Sequence, residues 1–219
     1  MNVKLVSITQ PLVKTQDNSR YLSAEEFITY AARVSNPSNQ LNTETSPKLL
    51  NYCIKNGHWS IFEQSDMTFE IKTSRAIAAQ ILRHKSASFQ EFSQRYSEVT
   101  EFEPLELRLQ GKTNRQVGDE PINDKDNYFI NKAKAIEMKS ENLYKEMISA
   151  GIAKECARFI LPLNTQTTLY MKNNIRNWIH YLQLRCSIHT QKEHRIIADE
   201  IKKVFIEHFP DTSKALEWI

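Results

Sequence analysis

The sequence predicts a single domain of mixed α and β structure, of the α+β or α/β class. Three short segments rich in β-branched or alternating apolar residues, at 3–8, 67–71 and 165–171, are separated by longer segments with helical periodicity. The 219 residues suffice for one domain with a substantial core, and they contain no internal repeat and no low-complexity tract. We therefore expect one domain over residues 1–219, with helices dominant.

The first third of the chain carries clear start and stop signals. Residues 3–8 are β-branched and apolar and predict a first strand. Ser23 followed by Glu26 is a capping box, which predicts a helix that continues to about residue 34. Residues 35–40, S-N-P-S-N-Q, have the composition of a loop.

The next elements lead toward the most basic part of the chain. Ser46 as a cap and Pro47 in the first turn predict a helix that Gly57 terminates. Apolar residues alternate with polar ones over 67–71, which predicts a half-buried strand. Ser74 then caps a short helix.

The second half of the chain is dominated by helices. Residues 101–126 are polar and contain two glycines and two prolines, which predicts a surface loop or insertion. Residues 165–171 are rich in threonine and predict another strand. Four helices are predicted, at about 129–150, 156–160, 175–186 and 197–210.

The predicted helix at 175–186 has two distinct faces. Arg185 lies on the polar face and has no acid one turn away, so its charge is available to a ligand, although a solvated face is the alternative. The apolar stripe consists of Ile175, Trp178, Ile179, Leu182 and Cys186. The polar stripe consists of Asn174, Asn177, Tyr181 and Arg185.

Composition excludes several classes of protein. The formal net charge of +3 is too small to indicate a nucleic-acid-binding domain. The three cysteines form no C-x-x-C pair, and His189 and His194 are poorly spaced for shared ligation, so we expect no metal site and a reducing compartment. No signal peptide and no membrane-spanning segment is predicted, which favours the cytoplasm.

One stretch, residues 83–96, is the strongest candidate for a ligand site. It reads RHKSASFQEFSQRY and contains the fixed cations Arg83, Lys85 and Arg95, three serines and one carboxylate, Glu91. Guanidinium groups bind phosphate oxygens bidentately, and serines add donors without bulk. These bases lack the acids that would balance them on a solvated helix face. The residue types therefore favour an anion site over an exposed basic turn.

The same stretch resembles the signature of the flavin-dependent thymidylate synthases, R-H-(R/K)-x-x-S-x(4)-S-x-R. Its fixed positions fall on Arg83, His84, Lys85, Ser88, Ser93 and Arg95. Four further segments resemble the family in the same order, so that the resemblance covers nearly the whole chain. They are A-R-V-S at 32–35, G-H-x-S-x-F-E at 57–63, A-R-x-x-L-P-L-N at 157–164, and N-x-R with a later L-R and a histidine at 174–189.

The resemblance implies a central, mostly antiparallel sheet packed by several long helices. It also implies that dUMP is reductively methylated to dTMP, with 5,10-methylenetetrahydrofolate as the carbon donor, reduced FAD as the mediator and NADPH as the source of hydride. The family uses no cysteine nucleophile, and the chain contains no cysteine beside a proline-rich motif. It further implies a homotetramer whose active sites are shared between subunits, with no nucleic acid or membrane as partner.

Matched residue by residue, the resemblance assigns a catalytic role to Arg185, which would stabilise negative charge on the uracil ring. The implied contacts of dUMP are Gln80, Arg83, Glu91, Ser93, Arg95, Arg158 and Arg185. The implied contacts of FAD are Ser60, Arg83, His84, Lys85, Glu91, Asn174, Arg176 and His180.

Three residues depart from the family pattern: Lys85 replaces an arginine, Gln64 a histidine and His180 an asparagine. Two other interpretations stay open at this point. A non-catalytic module could bind nucleotides or nucleic acid through the same basic stretch, and a flavin-binding relative could use another pyrimidine. For His84 and His58, a hydrogen-bonding role without any ligand is the alternative.

Overall fold

The computed structural model describes residues 1–123 and 127–219. The strands are β1 (Asn2–Ile8), β2 (Asp66–Ser74), β3 (Ser88–Glu91), β4 (Arg108–Gln110), β5 (Gly118–Pro121) and β6 (Gln166–Asn174). The α-helices are α1 (Ala24–Ala32), α2 (Ser46–Lys55), α3 (Arg75–Ile81), α4 (Tyr128–Ser149), α5 (Lys154–Ala157), α6 (Ile175–Arg185), α7 (Lys192–His208) and α8 (Pro210–Ala215). Short 3-10 helices cover Pro37–Asn39, Trp59–Glu63 and Arg158–Ile160.

Four strands form one antiparallel sheet in the order β1-β2-β6-β3. The mixed fold and its antiparallel sheet are thereby confirmed. The central strands β2 and β6 pair along their full length, from Asp66 opposite Asn174 to Ser74 opposite Gln166. Each leads directly into a helix, β2 into α3 and β6 into α6, so the two helices start at opposite ends of the sheet.

The core lies between one face of the sheet and the helices that cover it. The alternating residues Met67, Phe69 and Ile71 of β2 are fully buried, as their spacing predicts. Trp178 of α6 is also fully buried, and its indole Nε1 donates a hydrogen bond to the carbonyl oxygen of Met67 at 3.1 Å. Removing such a side chain typically costs about 3–5 kcal/mol, so Trp178 fixes α6 against the sheet.

Most predicted helix boundaries agree with the structure. Ser23 and Glu26 form the predicted capping box, and the Ser74 hydroxyl accepts from the Ile77 amide at 3.3 Å at the start of α3. Gly57 ends α2 with a φ of +70°, where the left-handed conformation favours glycine.

The predicted cap of α2 is wrong. Thr45 occupies the N-cap position, without a capping hydrogen bond from its side chain. The hydroxyl of Ser46 lies instead 2.7 Å from that of Thr29 on α1, and both residues are buried. A buried hydroxyl needs a hydrogen-bond partner, and the tertiary contact supplies one here.

The polar segment at 101–126 has more structure than its composition indicates, although 124–126 lie outside the described residues. Strands β4 and β5 pair as a small antiparallel hairpin. The carboxylate of Glu103 is buried and accepts from the N-terminal amine of Met1 at 2.9 Å. The sequence analysis also missed α8, which begins at Pro210 directly after α7.

Helix α4 has an apolar stripe that the rest of the described chain does not cover. Ile136 and Leu143, seven residues apart on one face, are 64% and 47% exposed, whereas Tyr144 is buried. Met138, on the opposite face, is 59% exposed. No helix in residues 1–123 and 127–219 is both long and apolar enough to cross a membrane.

Candidate active site

Most of the residues expected to bind FAD lie on helix α6 or next to it. The Asn174 side chain caps the helix by accepting from the Asn177 amide at 2.9 Å. One turn later, Asn177 Nδ2 donates to the carbonyl oxygen of Ser86 at 3.2 Å. This bond ties the basic turn at 83–86 to the side of α6.

The start of α6 also approaches the 3-10 helix Trp59–Glu63, which carries the exposed Ser60. Arg176 forms an ion pair with Glu63, and both side chains are about two-fifths exposed. The ring of His180 packs on that of Trp59, with centroids 5.2 Å apart. The structure therefore brings Ser60, Arg176 and His180 together, although nothing in it identifies their ligand.

Arg83 and Lys85 are exposed on the basic turn, and no carboxylate of the described residues lies within ion-pair distance of either. Exposed cations without a carboxylate partner suit a phosphorylated ligand. The donor set thus fits the pyrophosphate of a bound FAD. Lys85 offers a point charge in place of a planar fork.

Arg185 at the end of α6 contacts His84, which lies between the two exposed cations. Its Nε donates to His84 Nε2 at 2.8 Å. Burial, and then the positive charge of Arg185, lower the pKa of His84 to about 4. The imidazole is therefore neutral at pH 7, as an acceptor must be. No carboxylate in the described part of the chain forms an ion pair with Arg185, so its charge remains available, as the sequence analysis predicts.

Arg185 is supported from outside its own helix. Tyr181 and Asn177 share its helix face, but neither bonds to its guanidinium among the described contacts. Asn177 bonds to the basic turn, and the Tyr181 hydroxyl lies 3.0 Å from His194 Nε2. His84 supplies the contact instead, across 101 positions in sequence.

A second group of expected dUMP contacts lies at the far end of β3. Glu91 accepts from Arg75 at 2.8 Å and from the Thr167 hydroxyl at 3.0 Å. Arg75, the first residue of α3, was not expected at the site. No local signal in the sequence indicates that its side chain reaches Glu91 on β3. The Glu91 carboxylate is therefore already partnered within the chain.

Ser93 and Arg95 follow Glu91 on the exposed surface. Arg95 lies 3.5 Å from Glu155, so the prediction that it has no acid partner is wrong. Both side chains are more than half exposed, and pairs of this kind contribute little stability. Arg158 follows one turn after Glu155, and its guanidinium lies 5.7 Å from the ring centroid of Phe159.

The expected dUMP contacts thus form two groups within one chain. Gln80, Arg83 and Arg185 surround the end of α6, and we call them the helix group. Glu91, Ser93, Arg95 and Arg158 lie beyond the other end of β3, and we call them the strand group. The three residue steps from Ser88 to Glu91 separate the groups by about 10 Å along the strand.

Two clefts of the single chain lie away from the expected site residues. A cleft of about 590 Å³ is lined by the turn at 15–20 and the loop at 37–44. Another of about 480 Å³ lies beside Arg33, whose guanidinium donates to the carbonyl oxygen of Asn42 and to Thr45 Oγ1. Neither cleft is lined by any expected site residue.

Two of the three cysteines are poorly suited to nucleophilic attack. Burial raises the pKa of the Cys53 thiol. Burial, and then a hydrogen bond with Asp199, raise the pKa of Cys186 to about 12. Cys156 is exposed. A reactive thiol needs a lowered pKa, so neither Cys53 nor Cys186 has the environment of a nucleophile.

Comparison with known proteins gives a consistent result over the whole chain. A family model described as thymidylate synthase complementing protein matches residues 19–211. A flavin-dependent thymidylate synthase of Synechocystis is 52% identical over 219 residues, and a probable flavin-dependent thymidylate synthase of Paramecium bursaria Chlorella virus 1 is 50% identical over 221. Both alignments cover 100% of each chain.

A solved structure supports the same relationship. The crystal structure of a UMP/dUMP methylase, PolB from Streptomyces cacaoi, bound with 5-Br dUMP, superposes with a TM-score of 0.82 at 27% identity. The superposition covers 100% of this chain and 95% of that one.

Proposed function

The chain belongs to the flavin-dependent thymidylate synthase family, and from this premise we propose that it methylates dUMP to dTMP. The carbon comes from 5,10-methylenetetrahydrofolate, and NADPH provides the hydride. The observation that carries the proposal is Arg185, a cation that has no carboxylate partner among the described residues and that a neutral histidine holds in place. Residues 1–219 form the single catalytic domain in this proposal.

The basic turn and the start of α6 hold the cofactor. Arg83 and Lys85 bind its phosphate oxygens, and Arg176 binds it after exchanging Glu63 for the ligand. Ser60, His84, Glu91, Asn174 and His180 complete this set. When bound, the reduced flavin supplies the electrons that convert the transferred methylene group to a methyl group.

Arg185 activates the nucleotide. In the absence of a cysteine thiolate that attacks the pyrimidine, the uracil ring must become nucleophilic in another way. Stabilisation of negative charge on the oxygens of the uracil has this effect. A guanidinium held at the ring edge provides this stabilisation electrostatically. The hydrogen bond from Arg185 Nε to His84 leaves the two terminal nitrogens of the guanidinium for the ligand. The raised thiol pKa of Cys186 agrees with a mechanism that needs no cysteine.

The remaining dUMP contacts require two chains. In this proposal the helix group of one subunit faces the strand group of another, in a cytoplasmic homotetramer. The exposure of Arg83 and Arg95 in the single chain supports it. The exposed apolar side chains Ile136 and Leu143 on α4 and Phe159 after α5 support it as well. Phe159, which adjoins Arg158 of the strand group, is 81% exposed.

The proposed activity is tested by release of tritium from dUMP labelled at C5, with methylenetetrahydrofolate, FAD and NADPH supplied. The purified protein should be yellow, and release should require methylenetetrahydrofolate and NADPH. After removal of the bound flavin, release should also require added FAD. UMP is assayed in parallel, because the solved relative is named a UMP/dUMP methylase. Lys203→Ala, which removes an exposed cation paired with Glu200 on α7, is the control for loss of charge. A colourless, inactive protein that binds single-stranded nucleic acid would favour the non-catalytic alternative.

The shared site is tested by mixing inactive subunits. Arg185→Ala removes a member of the helix group, and Arg95→Ala removes one of the strand group. Co-expression of the two variants should restore about a quarter of the sites, those assembled from both intact groups. The matched control combines Arg185→Ala with Arg83→Ala, which lie in the same group and should restore none. Equal activity of the two mixtures would contradict a site built from these groups of different chains.

A further inference from the structure

A buried polar network lies behind the candidate site and contains residues that the binding assignment does not use. We call Gln80, Tyr181, Gln191, Glu193 and His194 the tyrosine–histidine network. His194 of α7 is fully buried, and Tyr181 of α6 is 3% exposed. Gln80 of α3 is the member that also belongs to the expected dUMP contacts.

The direction of every hydrogen bond in the network follows from one carboxylate. Glu193 is paired with Arg108. Burial alone would raise the pKa of Glu193, but hydrogen bonds from Arg108 and Gln191 outweigh it and lower the pKa below its usual value. Glu193 is therefore ionised and can only accept. Gln191 must direct its amide nitrogen to Glu193, at 2.9 Å, and its oxygen to the Gln80 nitrogen, at 2.6 Å.

The same logic continues to the tyrosine. Because its nitrogen faces Gln191, the Gln80 oxygen faces His194 Nδ1, at 3.3 Å, and Nδ1 must carry the proton. His194 Nε2 is then an acceptor, and the Tyr181 hydroxyl donates to it at 3.0 Å. Burial lowers the pKa of His194 to about 3, and the positive charge of Arg185, joined by that of His84 once acid protonates it, adds to this effect. The imidazole of His194 is therefore neutral at pH 7.

The network also supports the residue that activates the ring. The ring of Tyr181 packs edge-on against that of His84, with centroids 4.8 Å apart and an interplanar angle of 76°. His84 in turn accepts the hydrogen bond of Arg185. Tyr181 therefore limits where the imidazole, and with it the guanidinium, can lie.

We propose that Tyr181 and His194 are positioning residues for the methylation of dUMP. His194 fixes the Gln80 amide so that its remaining N–H points to the nucleotide as a donor, and the Tyr181 ring holds His84 against Arg185. This inference rests on the proposed function. In this inference Gln80 donates a hydrogen bond to an oxygen of dUMP. Binding of dUMP then depends on His194, whereas activation of its ring depends on Tyr181.

Two substitutions of His194 separate positioning from stability. In His194→Asn the new side-chain amide nitrogen would replace Nδ1 and keep the donor to Gln80, whereas His194→Gln keeps a partner for Tyr181 and loses that donor. Each variant loses one hydrogen bond, to Tyr181 in His194→Asn and to Gln80 in His194→Gln. The free energy of unfolding should therefore decrease by a similar amount in both. The dissociation constant of dUMP, measured by calorimetry, should rise about threefold to tenfold in His194→Gln relative to His194→Asn, the equivalent of one neutral hydrogen bond.

Two substitutions of Tyr181 test the second part. Tyr181→Leu removes the ring that packs on His84, and kcat should fall about tenfold at saturating dUMP with FAD occupancy checked by absorbance. Tyr181→Phe keeps the ring and should recover most of kcat. Equal kcat in the two Tyr181 variants, or equal dUMP affinity in the two His194 variants, would overturn the inference. Wild-type protein in the same assays distinguishes this outcome from failure of the proposed function, in which wild type itself neither binds dUMP nor releases tritium.

Discussion

Acidification should destabilise this protein through His194, a fully buried histidine between α6 and α7. Its pKa falls from 6.5 to about 3, first because burial disfavours the charged ring and then because Arg185 and His84 lie nearby. In the unfolded chain the ring regains its ordinary pKa. Between pH 7 and 3, the unfolded state therefore binds a proton that the native state excludes. The free energy of unfolding should decrease as the pH falls through this range.

The magnitude follows from the two pKa values. For one group that titrates at 6.5 when unfolded and at about 3 when folded, linkage removes about 2 kcal/mol between pH 7 and pH 5. Other groups contribute in the same range. Burial raises the pKa of Glu25, which has the opposite effect, whereas the lowered pKa of His84 acts in the same direction as that of His194. Comparison of variants cancels these contributions.

The assay is urea denaturation at pH 7 and pH 5, at one fixed protein concentration, for wild type and His194→Asn. The decrease in unfolding free energy should be about 2 kcal/mol larger in wild type, because the variant lacks the titrating ring. His189→Gln, at an exposed histidine before α7, is the matched control and should follow wild type. If wild type and His194→Asn lost the same free energy, the ring of His194 would not be held neutral by its surroundings.

Three further predictions concern the candidate site. In single-turnover formation of dTMP at saturating dUMP, Arg185→Ala should be slower by about a hundredfold to a thousandfold, with partial recovery in Arg185→Lys. A near-normal rate would show that the ring is activated elsewhere. Arg176→Ala should weaken FAD binding by about 1.5–3 kcal/mol in flavin fluorescence titrations, and unchanged affinity would remove Arg176 from the cofactor site. Replacement of Cys53, Cys156 and Cys186 together should leave methyl transfer measurable. Its loss in a well-folded Cys186→Ala variant that binds both ligands would require a thiolate mechanism.

Local signals in the sequence were sufficient for the fold class and for most helix boundaries. The capping box at Ser23, the cap at Ser74 and the left-handed Gly57 each depend on a few neighbouring residues, so their geometry can be derived from the chain itself. The alternation at 67–71 predicts a buried face because side chains on a strand point to opposite sides. The motif around Arg83 also predicts a candidate ligand site locally, because its cations and serines lie close together in the sequence.

Contacts between distant residues were decided by the tertiary structure alone. The sequence places Arg185 on a polar face, but only the contact between α6 and the basic turn at 83–86 supplies His84 as its partner. The sequence shows only that His194 is poorly spaced from His189 for shared metal ligation, whereas the structure buries the His194 ring against Tyr181 and keeps it neutral. The identity of a side chain predicts what it can bind. Burial and the charges around it, which depend on how the helices pack, determine its protonation state and what it does bind.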